Sequence, residues 1–84
     1  MTPAAGWILG GVRTPFVKAG GALRRVHSTE LGRIVVAEAI ARAELDPARI
    51  DEVVFGHCAM PSDAANSSRV VALRAGVPER VPAF

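Results

Sequence analysis

The stretch ELGRIVVAEAIARAELDPARIDEVVFG, residues 30–56, decides the fold, because a helical pattern gives way to a strand pattern on either side of one proline. Small and aliphatic residues recur at helical spacing through its first half, at Gly32, Val36, Ala39 and Ala43, flanked by Val35 and Ile40. Most of these side chains are small, so we expect another element to pack closely against this stripe. Ile34 and Leu45 lie on the other side of the helix, which predicts that a second face is also covered.

The limits of this helix are predicted from the residues around it. Ser28 and Thr29 offer N-cap oxygens, and Glu30 places negative charge in the first turn, where the helix dipole favours it. The residue before Pro47 is pushed out of the helical region, so the LDP sequence at residues 45–47 should end the helix.

Strand patterns lie on both sides of the helix. Ile50 to Gly56 is rich in β-branched and aromatic residues and predicts a buried strand. The apolar run GWILGGV, Gly6 to Val12, predicts another buried strand. Strand, helix and strand at this spacing form a βαβ unit, whose strands should be parallel with a right-handed crossover. The residues between the first strand and the helix should form a loop, because they include Pro15 and the Gly20-Gly21 pair.

A second, shorter helix is predicted from about Asn66 to Ala75. Gly76 is placed to end it at the C′ position, Val77 can make the accompanying hydrophobic contact, and Pro78 prevents the helix from resuming. The closing RVPAF resembles the start of a third strand. Parallel sheets are normally larger and covered on both faces, so we interpret the pattern as an incomplete α/β unit.

Length and composition support that interpretation. Eighty-four residues form one small domain at most, residues 1–84, and a chain this short buries only roughly 60–65% of its unfolded surface. Yet 50% of the residues are hydrophobic, with a mean hydropathy of +0.28. A composition this apolar predicts that more protein surrounds the chain.

Charge and hydropathy argue against several classes of partner. The net charge is +2, the basic residues are scattered, and there is no Tyr, so nucleic-acid binding is not predicted. No run approaches the ~18 apolar residues of a membrane span. The amino terminus lacks the basic and long apolar regions of a signal peptide, which predicts a cytoplasmic chain.

The only cysteine, Cys58, directly follows His57, which raises the hypothesis of a catalytic thiolate. Adjacent residues in an extended segment point to opposite faces, so His57 cannot readily deprotonate Cys58. The alternative is that Cys58 is a small buried residue at the end of a strand. A metal site shared by His27 and His57 has no carboxylate–histidine spacing to support it.

Three further features have a structural and a functional interpretation. KAGGALRR, Lys18 to Arg25, lacks the residue order of a phosphate-binding loop and is better explained as a flexible loop. Arg13 could anchor carbonyls or carboxylates of the protein, or bind substrate. Asn66 and Arg69 could cap the second helix or bridge backbone groups at its start.

Four stretches resemble the amino-terminal segment of the thiolase family, which includes acetyl-CoA acetyltransferases and 3-ketoacyl-CoA thiolases. They are VRTPFVKAGGALRRV, residues 30–56 quoted above, NSSRVVALRAGVP and the closing VPAF. The first resembles the signature V-R-T-P-F-g-k-f-g-G-x-L. The third resembles N-x-A-R-x-x-A-L-x-A-G-x-P, with Ser68 in place of the usual Ala. The four stretches cover nearly all of the chain from Gly11 onward in the family's order.

The resemblance implies a fold and an activity. The fold would be the βαβα portion of the amino-terminal half of a thiolase-like five-layer αβαβα fold, incomplete in this chain. The full-length enzyme would be a homo-oligomer, dimer or tetramer, without a tightly bound cofactor or metal. A cysteine thiolate would attack a 3-ketoacyl-CoA, and the acyl-enzyme would be passed to coenzyme A as co-substrate. The reverse reaction is a Claisen condensation.

The resemblance also implies that the catalytic residues lie outside this chain. The family's nucleophile follows VPAF within about ten residues, in a V-N-x-x-C-x-S-G-like stretch, and the histidines and second cysteine come much later in the sequence. Cys58 matches none of these positions, so we predict no catalytic, cofactor-binding or metal-binding residue here and no activity of the chain alone. HCAMPSDAA, residues 57–65, also departs from the family's V-L-Q-A-G-x-G-Q, in a loop often found at the subunit interface. The alternative is a non-enzymatic, thiolase-derived interaction module.

Overall fold

The computed structural model describes residues 5–58 and 61–84. Its regular elements are helix α1, Ser28–Arg42, a short 3₁₀ helix, Pro47–Arg49, and helix α2, Ser67–Arg74. We call residues 5–26 the arm and the described residues from 27 onward the packed half.

Helix α1 forms where the stripe of small residues predicts it, but both of its ends differ from the prediction. Its N-cap is His27, whose Nδ1 accepts the backbone N–H of Thr29, whereas Ser28 is the first helical residue. The helix ends at Arg42, before the LDP sequence. The N–H groups of Glu44 and Leu45 bond to the carbonyls of Ala41 and Ile40, each at 3.1 Å.

These two bonds form a Schellman motif, which requires a left-handed residue at the C′ position. Glu44 has a φ of 52° and supplies that conformation. Pro47 therefore does not end α1, but begins the 3₁₀ helix, with the Asp46 carboxylate accepting from the N–H of Ala48.

Helix α2 and both of its ends are confirmed. Asn66 is the N-cap, and Gly76 occupies the C′ position with a φ of 92°. The N–H of Val77 bonds to the carbonyl of Ala72 at 3.0 Å, and Val77 is buried, as the hydrophobic contact of a Schellman motif predicts.

Two short segments pair in parallel, residues 53–55 and 82–84, around a bridge between Val53 and Ala83. The N–H of Val53 bonds to Pro82 O, the N–H of Phe84 to Val53 O and the N–H of Phe55 to Phe84 O, at 2.8–3.0 Å. We call these segments the parallel pair. Helix α2 connects these two segments, but their pairing is an isolated bridge and not a pair of regular strands. The predicted buried strand from Ile50 to Gly56 is therefore reduced to this bridge, and its Val54 is 60% exposed.

The predicted first strand does not form. Over the described part of the chain, no backbone hydrogen bond joins residues 6–12 to another segment. The prediction of a buried strand is wrong for this chain: Trp7 is 85% and Ile8 97% exposed. An apolar run becomes a strand only when a neighbouring strand accepts and donates its backbone bonds, and here none lies beside it.

The core lies between the two helices and the parallel pair. Its buried residues are Ala72, Val77, Val81 and Ala83, with the partly buried Val36, Ile40, Ile50 and Val53 packed against them. The helices approach closely at Gly32, where a Cβ would lie 2.7 Å from Cγ2 of Val71. The prediction that the stripe of α1 is closely packed is thus confirmed at this position.

The arm makes turns and few contacts. Gly20, with a φ of 78°, allows the tight turn in which the N–H of Gly21 bonds to the Lys18 carbonyl at 2.9 Å. Residues 9–12 run beside the end of α1 and leave a shallow cleft of about 290 Å³ between them. Trp7, Ile8 and Phe16 remain exposed, so the arm contributes almost no buried surface.

Candidate functional site

A cleft of about 310 Å³ opens where both segments of the parallel pair end. The carboxyl ends of parallel strands are the usual position of ligand sites in α/β proteins. The lining is mostly apolar, with polar groups from the first turns of both helices. The residues are Ser28, Gly32, Phe55, Gly56, His57, Asn66, Ser67, Ser68, Val71 and Phe84.

The first turn of α2 holds this end of the parallel pair in place. Asn66 caps the helix through Oδ1, which accepts the N–H of Arg69 at 3.1 Å, and its Nδ2 donates to the Ala83 carbonyl at 3.2 Å. The Arg69 guanidinium donates to the carbonyls of Glu79 and Val81, both at 2.7 Å. The structural interpretation of Asn66 and Arg69, as capping and bridging residues, is confirmed.

The two serines of this turn are buried and satisfied. Ser67 Oγ donates to the Ala64 carbonyl at 3.0 Å, and Ser68 Oγ donates to the Val53 carbonyl at 3.4 Å. The NSSR sequence thus contacts both segments of the parallel pair. Its side-chain donors are committed to backbone carbonyls, so its chemistry is structural.

The first turn of α1 carries a network that the sequence interpretation missed. Nδ1 of His27 lies 3.1 Å from the Thr29 nitrogen and 2.8 Å from Thr29 Oγ1, while Nε2 lies 3.2 Å from Oδ1 of Asp63. Thr29 is only 2% exposed, and its hydroxyl accepts from Arg74 of α2 at 3.4 Å. The available signal was the polar His27 directly before Ser28 and Thr29, but those two residues offered more common capping groups.

The exposed side of α1 carries local ion pairs. Arg33 Nε donates to Glu30 at 2.9 Å, and Arg42 Nε donates to Glu38 at 2.8 Å. The hydrogen bond from Arg33 lowers the pKa of Glu30, and the charges of Arg33 and Arg74 add to this against partial desolvation. The same bond raises the pKa of Arg33. These pairs lie on the helix surface and contribute little to binding chemistry.

The structure separates the two residues of the thiolate hypothesis. His57 lines the cleft, whereas Cys58 is exposed, unpaired and absent from the lining. The interpretation of Cys58 as a buried packing residue is therefore wrong. The chain has already left the parallel pair after Phe55, and Cys58 lies at a bend outside the packed core. Ala59 and Met60, in the loop that departs from the family pattern, lie outside the described residues.

The remaining predicted candidates lie in the arm or in local turns. Lys18 to Arg25 forms successive turns, as expected of a loop, with the N–H of Arg24 bonded to the Gly21 carbonyl at 3.1 Å. Arg13 donates to the carbonyl of its neighbour Thr14 at 3.2 Å and lies 5.5 Å from the ring centroid of Phe16. Its anchoring is thus confined to the arm, and it is not part of the cleft.

Metal and membrane sites are not found in the part of the chain that the structure describes. Within residues 5–58 and 61–84, no three side chains of His, Cys, Asp or Glu are grouped as metal ligands. His27 and His57 have separate surroundings, one in the cap of α1 and one in the cleft. Across the same ranges, the helices are too short or too polar to span a bilayer.

Comparison with known proteins identifies the family of this chain. The family model for the thiolase N-terminal domain matches residues 7–84. The chain is 38% identical over 77 residues to a 3-ketoacyl-CoA thiolase of Aeromonas salmonicida, covering 92% of this chain and 18% of that protein. It is 42% identical over 77 residues to an acetyl-CoA acetyltransferase of Syntrophomonas wolfei, covering 92% and 19%.

A solved structure gives the same result in three dimensions. The Bacillus anthracis acetyl-CoA acetyltransferase superposes with a TM-score of 0.86 at 42% identity, over 92% of this chain and 20% of that one. The architecture is therefore that of an α/β segment from a thiolase fold. The chain belongs to the thiolase N-terminal domain family, and spans about a fifth of the length of the relatives it matches.

Proposed function

We propose that this chain forms the first part of a thiolase. The complete enzyme would transfer acyl groups between 3-ketoacyl-CoA and coenzyme A through a cysteine acyl-enzyme. The observation that carries the proposal is the TM-score of 0.86 at 42% identity over 92% of the chain.

The exposed apolar surface supports the same proposal. The parallel pair has its core face covered by the helices, but Val54 on the opposite side is 60% exposed. Parallel sheets are covered on both faces, and their edge strands are normally paired or protected. The remaining four-fifths of a thiolase would cover this face and pair with the arm.

The role that we assign to these residues is to position the reacting groups. The first turn of α2 fixes the path of residues 79–84 through Asn66 and Arg69. In the family, the nucleophilic cysteine follows this segment closely. The cleft at its end is where a thiolate would be brought beside the substrate. Coenzyme A would be a co-substrate of the whole enzyme, and no resident cofactor is proposed.

An activity assay tests whether the chain alone lacks the reaction. We expect the purified 84-residue chain to give no detectable thiolysis of acetoacetyl-CoA, because Cys58 is exposed and does not line the cleft. The matched control is the Cys58→Ser variant, which should be indistinguishable. Turnover that disappears in Cys58→Ser would overturn this part of the proposal.

A graft tests the positive part. Residues 7–84 would replace the matching segment of the Bacillus anthracis acetyl-CoA acetyltransferase, and thiolysis of acetoacetyl-CoA would be measured. We expect the graft to be active, and Arg69→Met in the graft to lower kcat, since residues 79–81 lose both bonds to the guanidinium. An inactive graft that folds and assembles like the parent enzyme would contradict the proposal.

The second candidate is a non-enzymatic interaction module derived from the thiolase segment. The observation in its favour is the arm, whose large apolar side chains are exposed beside a helix pair with its own core. Size-exclusion chromatography and circular dichroism distinguish the two. The module is favoured if the 84-residue chain forms a discrete species that unfolds cooperatively, and if the graft that contains residues 7–84 is inactive.

A further inference from the structure

His27 is held by two parts of the molecule at once. Its Nδ1 accepts the Thr29 N–H at the start of α1, and its Nε2 contacts the Asp63 carboxylate in the loop before α2. Asp63 belongs to the loop whose sequence departs from the thiolase pattern. One imidazole therefore joins the first helix to the segment that leads into the second.

The cap on the Thr29 N–H requires one particular state of the ring. A backbone N–H can only donate, so Nδ1 must carry a lone pair, and the ring proton must be on Nε2, which donates to Asp63. Thr29 is buried, and its hydroxyl, which accepts from Arg74, also lies 2.8 Å from Nδ1. When the ring is doubly protonated, Nδ1–H can donate to this hydroxyl, but it can no longer accept the Thr29 N–H, and the cap is lost.

We propose that His27 is a proton-dependent clasp: the neutral ring caps α1, whereas the protonated ring releases the cap and is kept on the Asp63 carboxylate as an ion pair. Protonation of a capping imidazole removes the lone pair on which the cap depends. The effect at low pH is a frayed first turn of α1, while the contact with the loop is retained.

The charged groups around the His27 ring come from the loop before α2 and from both helices. Asp63 faces the ring from the loop before α2 and accepts from Nε2, but it is exposed and its attraction is screened. Arg74, on α2, reaches the same Thr29 hydroxyl and opposes further positive charge. Glu30, on α1 itself, is engaged by Arg33. Within residues 5–58 and 61–84, the Thr29 N–H has no acceptor other than Nδ1 of His27, so the lost cap is not replaced there.

The test compares the 84-residue chain at pH 7.5 and pH 5.5. The thermal midpoint of the wild-type chain should fall by about 4–8 °C more than that of His27→Asn, because asparagine caps equally well and does not titrate. His57→Gln, the matched control at the only other histidine, should keep the wild-type dependence. In Asp63→Asn the fall should be larger, because the protonated ring loses its carboxylate.

Amide hydrogen exchange at Thr29 gives a local measurement. The protection factor of this amide should be high at pH 7.5 and should fall at least tenfold at pH 5.5, with no such fall in His27→Asn. Equal pH dependence of wild-type and His27→Asn midpoints would overturn the proposal. So would a Thr29 amide that is unprotected at pH 7.5, or one that keeps its protection at pH 5.5.

Discussion

Val81 in the packed half and Ile8 in the arm are both β-branched aliphatic residues, yet 1% of the first and 97% of the second is exposed. Val81 lies in the core, next to α2 and the parallel pair. Ile8 belongs to a run that is just as apolar, but it has no pairing strand among the described residues. The difference shows that the apolar pattern specifies which residues seek burial, while the neighbouring segments decide which of them achieve it.

The largest effect is expected where the arm gains a partner. In the graft described above, replacing both Trp7 and Ile8 by Ser should destabilise the protein by about 3–6 kcal/mol, since each large apolar side chain loses about 1.5–3 kcal/mol of burial. In the 84-residue chain the same double substitution should change the unfolding free energy by less than about 0.5 kcal/mol. Urea titrations followed by circular dichroism measure both.

Two other outcomes would contradict the contrast between the arm and the packed half. If the double substitution destabilised the 84-residue chain as much as the graft, the arm would already be packed in solution. If it had no effect in either, the arm would not be covered by the rest of a thiolase, and the interaction module would be favoured.

The next effect concerns the core itself. Val81→Ala should lower the unfolding free energy of the 84-residue chain by about 2–3 kcal/mol, from two lost methyl groups and the cavity that they leave. Ile8→Ala is the control in the arm, and should stay within about 0.5 kcal/mol of the wild-type value. Similar losses in the two variants would mean that burial does not distinguish the two regions.

Because the helices approach closely at Gly32, the effect of one substitution on stability should change sign when the neighbouring side chain is shortened. Gly32→Ala should destabilise the chain by about 1 kcal/mol, because the clash with Val71 outweighs the better helix propensity of alanine. In a Val71→Ala background the clash is removed, so Gly32→Ala should become stabilising by up to about 1 kcal/mol. A double-mutant cycle of chemical unfolding measures the coupling. Additive effects would contradict the contact.

The same contrast explains which features could be predicted from the sequence. Helix α2 and its two ends follow from local signals, since Asn66 and Gly76 act within four residues of the groups that they satisfy. The sequence predicted that Arg69 would bridge backbone groups. It could not identify the acceptors at residues 79–81, because these depend on the path of the chain after α2. The family signatures span most of the chain, and these identified the thiolase domain.

The features that were missed depend on distant partners. The cap by His27 requires that Thr29 be buried against α2 and that Asp63 return to the ring, neither of which is visible in residues 27–30. The strand at residues 6–12 was predicted from its apolar pattern, but that pattern does not specify the neighbouring strand with which it would pair. Cys58 was assigned to the core because it follows a predicted strand, although the pairing ends at Phe55 and Cys58 lies exposed at a bend.

The smallest effects compare the two helix ends, which share one motif but differ in the residue at C′. Gly76→Ala should cost about 1 kcal/mol, because nothing lies within 4 Å of the added Cβ and only the left-handed backbone opposes it. Glu44→Gly should stabilise the chain by about 0.5–1 kcal/mol for the reverse reason, since Glu44 has the same handedness with a side chain. Thermal unfolding of the two variants should shift in opposite directions. A loss of stability in Glu44→Gly would show that the Glu44 side chain, and not its backbone, supports the end of α1.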